Sequence, residues 1–133
     1  MKKSMLVLVV LMLASVVLAA CSGGGGSSGG ASISTTMTDF HFEPTSWTVP
    51  AGQEVKLTLK NEGAVEHDFV LVSTPVDAAT TADAQVLFEA KAGPGETKDF
   101  TFTAPATPGE YQVICNIAGH LEAGMEGKLV VTE

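Results

Sequence analysis

From Ile33 onward, apolar and polar residues alternate with a period near two, interrupted by glycine and proline, and helical periodicity is scarce. In the run ending at Pro44, Ile33, Thr35, Met37, Asp39 and His41 alternate with Thr36, Thr38, Phe40 and Phe42. Ser46 to Pro50 precedes an Ala51-Gly52 turn, and Val55, Leu57 and Leu59 then alternate with Lys56, Thr58 and Lys60. A period of two with one polar side is the mark of a strand with one wet face. His67 to Ser73 is almost continuously apolar, as a strand buried on both faces would be. After the turn Ala92 to Glu96, Phe100 and Phe102 alternate with Thr101 and Thr103, and Gly109 to Cys115 and Gly127 to Glu133 close the chain. Strands at such spacing predict an all-β fold, a Greek-key antiparallel β-sandwich of about seven to eight strands. The exception is Pro75 to Leu87, alanine-rich with candidate N-caps at Asp77 or Thr81, which predicts one short helix or a flap.

The N-terminus follows a different pattern. Lys2 and Lys3 precede an apolar run from Met5 to Leu18, too short for a comfortable membrane span and suited to the core of an export signal. It ends in Leu18-Ala19-Ala20-Cys21, which resembles the lipobox of bacterial lipoproteins. That resemblance implies a signal peptide over 1–20 and lipidation of Cys21. The protein would then be exported and lipid-anchored to a membrane, facing the periplasm or cell exterior. Ser22 to Ser32 carries no large apolar side chain and reads as a tether with an r.m.s. span of about 18 Å. The expected organisation is signal peptide 1–20, lipidated cysteine and tether 21–32, and one folded domain over 33–133.

At 133 residues the chain holds one core. Its 7 Lys+Arg against 15 Asp+Glu give a net charge of -8, which excludes the basic face that nucleic-acid binding needs. With Cys21 assigned to lipid, Cys115 has no disulfide partner in an oxidising compartment, and an exported lone thiol needs another reason.

That reason lies in the segment from Tyr111 to Val131. A strand ends at Cys115, and His120 and Met125 follow within one loop. Thiolate, imidazole and thioether form a soft-to-borderline ligand set, and the thioether selects copper over zinc. A copper cycling between two oxidation states is served by two imidazoles, a thiolate and a weak axial thioether, so a second histidine is required. His67 opens an apolar strand directly after a turn, where a loop can present it; His41 sits mid-strand between two phenylalanines. His67 is therefore the expected partner, and His41 a solvent-facing or packing residue. Taken singly, Cys115 and Met125 would read as core filler and His120 as a surface histidine. Their joint placement on one eleven-residue loop argues against those readings.

The Cys-x4-His-x4-Met spacing, the upstream histidine and the segment Phe42 to Gly63 resemble the cupredoxins, the blue copper proteins, with a ligand spacing closer to auracyanin and rusticyanin than to plastocyanin. The resemblance implies a single type 1 copper with His67, Cys115 and His120 as strong ligands and Met125 as the axial one. It implies no enzymatic activity but a one-electron carrier for transient redox partners, such as a cytochrome or a membrane redox complex, acting as a monomer. The edge of His120, among Ala118, Gly119, Leu121, Ala123 and Gly124, is the expected electron port, with Glu122 and Glu126 placed to orient a basic partner. Many cupredoxins carry asparagine after the first histidine; here that place is Asp68. The competing reading is a copper-handling lipoprotein, a chaperone or store, although no methionine-rich or histidine-rich tract is present. Three histidines in all are too few for the extra copper of a cupredoxin-based oxidase.

Overall fold

A computed structural model describes residues 29–133, which fold into nine strands in two sheets packed face to face. The first sheet has the order β2(His41–Glu43), β1(Ala31–Thr38), β4(Glu54–Asn61), β7(Thr97–Thr103). The second has the order β3(Ser46–Pro50), β9(Glu126–Thr132), β8(Gly109–Ile114), β5(His67–Val72), β6(Val86–Ala92). The alternation in β4 works as expected: Val55, Leu57 and Leu59 are fully buried between the sheets while Lys56 and Lys60 are exposed. β5 is buried at all six positions, including the polar His67 and Asp68 that precede its apolar run. Phe42, Trp47 and Phe69 meet edge to face across the sandwich, with ring centroids 5.1 to 6.1 Å apart, and the Trp47 indole N–H donates to the Ser34 carbonyl at 3.1 Å.

Two details depart from the sequence expectation. The sheets are mixed rather than purely antiparallel, because β1 runs parallel to β4 and β3 parallel to β9. The run before Pro44 is two strands instead of one, folded back at Asp39 and Phe40 so that Thr38 pairs with His41; this brings the number of strands to nine. Of the short helix or flap expected over Pro75 to Leu87, the structure has a 3-10 turn at Thr81–Asp83 in an irregular segment, and Val86 and Leu87 already belong to β6. Asp77 accepts the N–H groups of Ala79 and Thr80 at 3.0 Å in the turn just before it, while Thr80 at the cap position makes no side-chain cap bond, and the segment offers no apolar stripe to hold a longer helix.

β1 starts at Ala31, so Ala31 and Ser32 belong to the sheet rather than to the tether, in register with Val55 and Lys56. The expected signal segment, Cys21 and residues 22–28 of the tether lie outside the described residues. Among the described residues, no helix is long and apolar enough to cross a membrane. Ala31 also fixes the polarity of the sandwich. Seven strand steps of about 3.3 Å separate it from Thr38, so the first described strand begins at the pole away from the Asp39–Phe40 turn.

Candidate metal centre

Three connections meet at the pole that holds the Asp39–Phe40 turn: that turn, the loop from Asn61 to His67, and the loop from Cys115 to Met125. The loop into His67 is organised by Asn61, itself 1% exposed. Its side-chain amide donates to the carbonyls of Val65 and Ala92, both at 2.8 Å, and its Oδ1 accepts the Gly63 N–H at 2.8 Å. His67 therefore enters β5 from a fixed turn.

The second loop closes on itself. The Cys115 N–H donates to the Met125 carbonyl at 3.1 Å, and the Met125 N–H to the His120 carbonyl at 2.9 Å. Gly119 and Gly124, each directly before a candidate ligand, have φ of 85° and 92°, a conformation that side-chain-bearing residues rarely adopt. Two left-handed turns thus redirect the chain so that His120 and then Met125 return to the interior.

The outcome is a convergence of donor atoms. His67 Nδ1 lies 3.9 Å from Cys115 Sγ, His120 Nδ1 lies 3.3 Å from the same sulfur, and the two Nδ1 atoms are 3.2 Å apart. His67, Cys115 and Met125 are fully buried and His120 is 6% exposed, so His120 is the one member of the set that reaches the surface. His41 is not among them: it is exposed on β2 and paired with Glu43 at 3.5 Å. A trigonal metal with bonds near 2.0 Å to nitrogen and 2.3 Å to sulfur has edges of about 3.5 and 3.7 Å, close to the triangle seen here. Buried lone pairs facing one another are costly unless a cation balances them, so the donor set fits a metal in both chemistry and size.

Residues 6–131 match the family described as a cupredoxin-like domain.

The chain belongs to the cupredoxin family.

Auracyanin-A of Chloroflexus aurantiacus is 39% identical over 109 residues, covering 68% of this chain and 66% of that protein. The copper-resistant cuproprotein CopI of Rubrivivax gelatinosus is 32% identical over 111 residues, covering 75% and 66%. The chain thus spans about two thirds of the length of these two relatives. Among solved structures, the dithionite-reduced auracyanin of Roseiflexus castenholzii superposes with a TM-score of 0.68 at 28% identity, covering 78% of this chain and all of the other. The cofactor of this cupredoxin is a single copper, and the cluster of His67, Cys115, His120 and the adjoining Met125 suits a type 1 site.

Groups around the cluster hold it in place. Asp68, where asparagine is common, accepts the Asn116 N–H at 2.6 Å, so a carboxylate makes the tie between the His67 strand and the Cys115 loop. Burial raises the Asp68 carboxyl above its usual range, and the Asn116 amide opposes that shift. Burial also pushes the Cys115 thiol up to about 12, against backbone N–H groups of Asp68 and Ile117 directed at the sulfur, which favour the thiolate. His67 is lowered, first by burial, with Asp39 acting in the opposite direction. Without a metal this cupredoxin therefore holds a neutral thiol and a neutral imidazole.

Sequence reasoning missed Asp39, Phe40 and Asn61. Asp39 Oδ1 sits 3.4 Å from His67 Nε2, and the Phe40 ring meets His120 edge-on at 5.1 Å and 80°. Phe40 has φ of 67°, unusual for a bulky residue, and is 48% exposed. The signal for Asn61 was legible: Asn-x-Gly after a strand is the pattern of a side-chain-stabilised turn.

Proposed function

We propose that His67, Cys115 and His120, with Met125 as axial ligand, hold one type 1 copper, and that this cupredoxin is a one-electron carrier rather than an enzyme. The observation that supports this reading best is the burial of the donors: three ligand atoms lie within 4.8 Å of one another in the interior, with only the His120 edge reaching solvent. Copper bound there would supply a one-electron couple. The protein's part is to fill every ligand position with its own side chains, which leaves no place for a substrate, and to hold them on loops tied by backbone hydrogen bonds. Rigid donors keep the geometry similar in both oxidation states. The apolar rim of Phe40 and Leu121 around His120 would let a partner approach the imidazole closely in the small, transient contact typical of electron transfer.

The partner in this reading is a redox protein with a basic face, a cytochrome or a membrane redox complex. All five described lysines are paired with carboxylates, through Lys56–Asp99, Lys60–Glu62, Lys91–Glu89, Lys98–Glu96 and Lys128–Glu110, so the surface field is dominated by the remaining acids, Glu122 and Glu126 among them. A lipid on Cys21 would confine the domain to a membrane surface outside the cytoplasm. The first strand begins at the pole away from the ligands, so a tether there would leave the His120 edge facing outward.

The similarity to CopI favours a second reading, in which the copper itself is the cargo. Stopped-flow mixing of the Cu(I) form with an oxidised cytochrome, followed by a copper assay over repeated cycles, separates the two. A carrier passes electrons and keeps its metal, whereas a copper-handling protein loses Cu(I) to an acceptor chelator on the same timescale.

A further inference from the structure

The two imidazoles of the cluster are held by different chemistry, and both supports come from consecutive residues of one hairpin turn. His120 has the edge of Phe40 against its ring, and His67 has a carboxylate. His67 is fully buried with Nδ1 directed at Cys115 and His120, and its other nitrogen, Nε2, lies 3.4 Å from Asp39 Oδ1. A neutral imidazole carries one proton, so Nδ1 can present a lone pair only if the proton is on Nε2, where Asp39 accepts it. The same Oδ1 accepts the Ala64 N–H at 3.0 Å, which ties the carboxylate to the loop that leads into His67.

Gly63 supplies an independent indication that this contact is built in. A Cβ at Gly63 would lie 2.6 Å from Asp39 Oδ1 and 2.6 Å from His67 Nε2, so the backbone passes directly over the hydrogen bond and any side chain would intrude on it. The position has no positive φ to account for the glycine; the close approach does.

We propose that Asp39 is a positioning residue for His67, fixing the tautomer that turns Nδ1 toward copper and lowering the reduction potential of the site. The proposal rests on the copper reading above. A carboxylate that accepts the N–H makes the imidazole a stronger donor, and a stronger donor favours the more highly charged oxidised metal. His120, with an aromatic edge instead of a carboxylate, receives no such bias and is left as the exposed route for the electron.

The test compares Asp39→Asn and Gly63→Ala with Glu62→Gln, which removes an exposed charge paired to Lys60 without touching His67. Two readouts are taken: nitrogen NMR of the His67 ring in the copper-free protein, and the reduction potential with the visible spectrum of the copper-loaded protein. Asp39→Asn and Gly63→Ala are each expected to disturb the Nε2–H signal. Each should also weaken Cu(II) relative to Cu(I) by about tenfold, which for one electron is a rise of about 59 mV, with the thiolate-to-copper band retained. Glu62→Gln should leave both readouts at wild-type values. An Asp39→Asn protein that keeps the band, the wild-type ring signal and the wild-type potential would overturn the proposal, as would a Glu62→Gln shift equal to that of Asp39→Asn. A wild type lacking the band would instead overturn the copper reading itself, a result distinguishable because the ring signal is measured without metal.

Discussion

The Asn116 amide donates to the Asp68 carboxylate at 2.6 Å, and this single bond joins the residue after one candidate ligand, His67, to the residue after another, Cys115. The two elements also pair at Val70–Ile114 and Leu71–Val113, and the Asp68 backbone N–H is directed at the Cys115 sulfur. The Asp68–Asn116 bond adds to these in holding imidazole and thiol together at the end of the sheet.

Removing the acceptor should show its weight. Asp68→Ala leaves the Asn116 N–H without its partner and is expected to destabilise the copper-free protein by about 1–3 kcal/mol, whereas Asp68→Asn keeps a carbonyl acceptor and should cost well under half of that. Urea denaturation of the three copper-free proteins measures both values.

Asn61 is a second structural anchor of the site. Truncation to alanine removes three hydrogen bonds in a buried turn, two of them to carbonyls that keep no side-chain donor. A loss of about 2–4 kcal/mol is expected, together with a weakened copper spectrum because the entry into His67 loosens. Thermal unfolding and copper titration of Asn61→Ala check the two effects.

How far the site could be read from the sequence follows from what is local. Cys115, His120 and Met125 share one loop, and His67 opens a strand, so their convergence needed only the polarity pattern and the order of elements. Asp39 and Phe40 were not legible as a turn. They continue the alternation of their neighbours, and the reversal there uses a positive φ at Phe40 without the usual Asn-Gly signal. The parallel pairings of β1 with β4 and of β3 with β9 were equally hidden, since a strand's own pattern states which face is buried but not which strand lies beside it.

The buried thiol makes copper uptake a proton-releasing event. Because burial holds Cys115 protonated up to about 12, a metal that takes the thiolate at neutral pH must displace that proton. Calorimetric titration in buffers of different ionisation heat should give about one proton released per copper. Cys115→Ser should release none.

His67 gives the copper-free protein an acid limit. Its folded pKa is depressed from 6.5, first by burial, so the unfolded chain takes up a proton more readily than the folded one as pH falls. The stability associated with neutral His67 is present above pH 6.5 and lost progressively below it. Melting temperatures of the copper-free protein should decline as pH falls below 6.5, and His67→Gln should flatten that decline.

The visible and EPR spectrum of the protein after addition of Cu(II) bears directly on the proposed type 1 copper site of His67, Cys115, His120 and Met125. An intense blue or green thiolate-to-copper band at one copper per chain is expected, abolished in Cys115→Ser, disturbed in His67→Ala and unchanged in His41→Ala. A colourless protein with a free thiol, or a band that depends on His41 and not on His67, would contradict it.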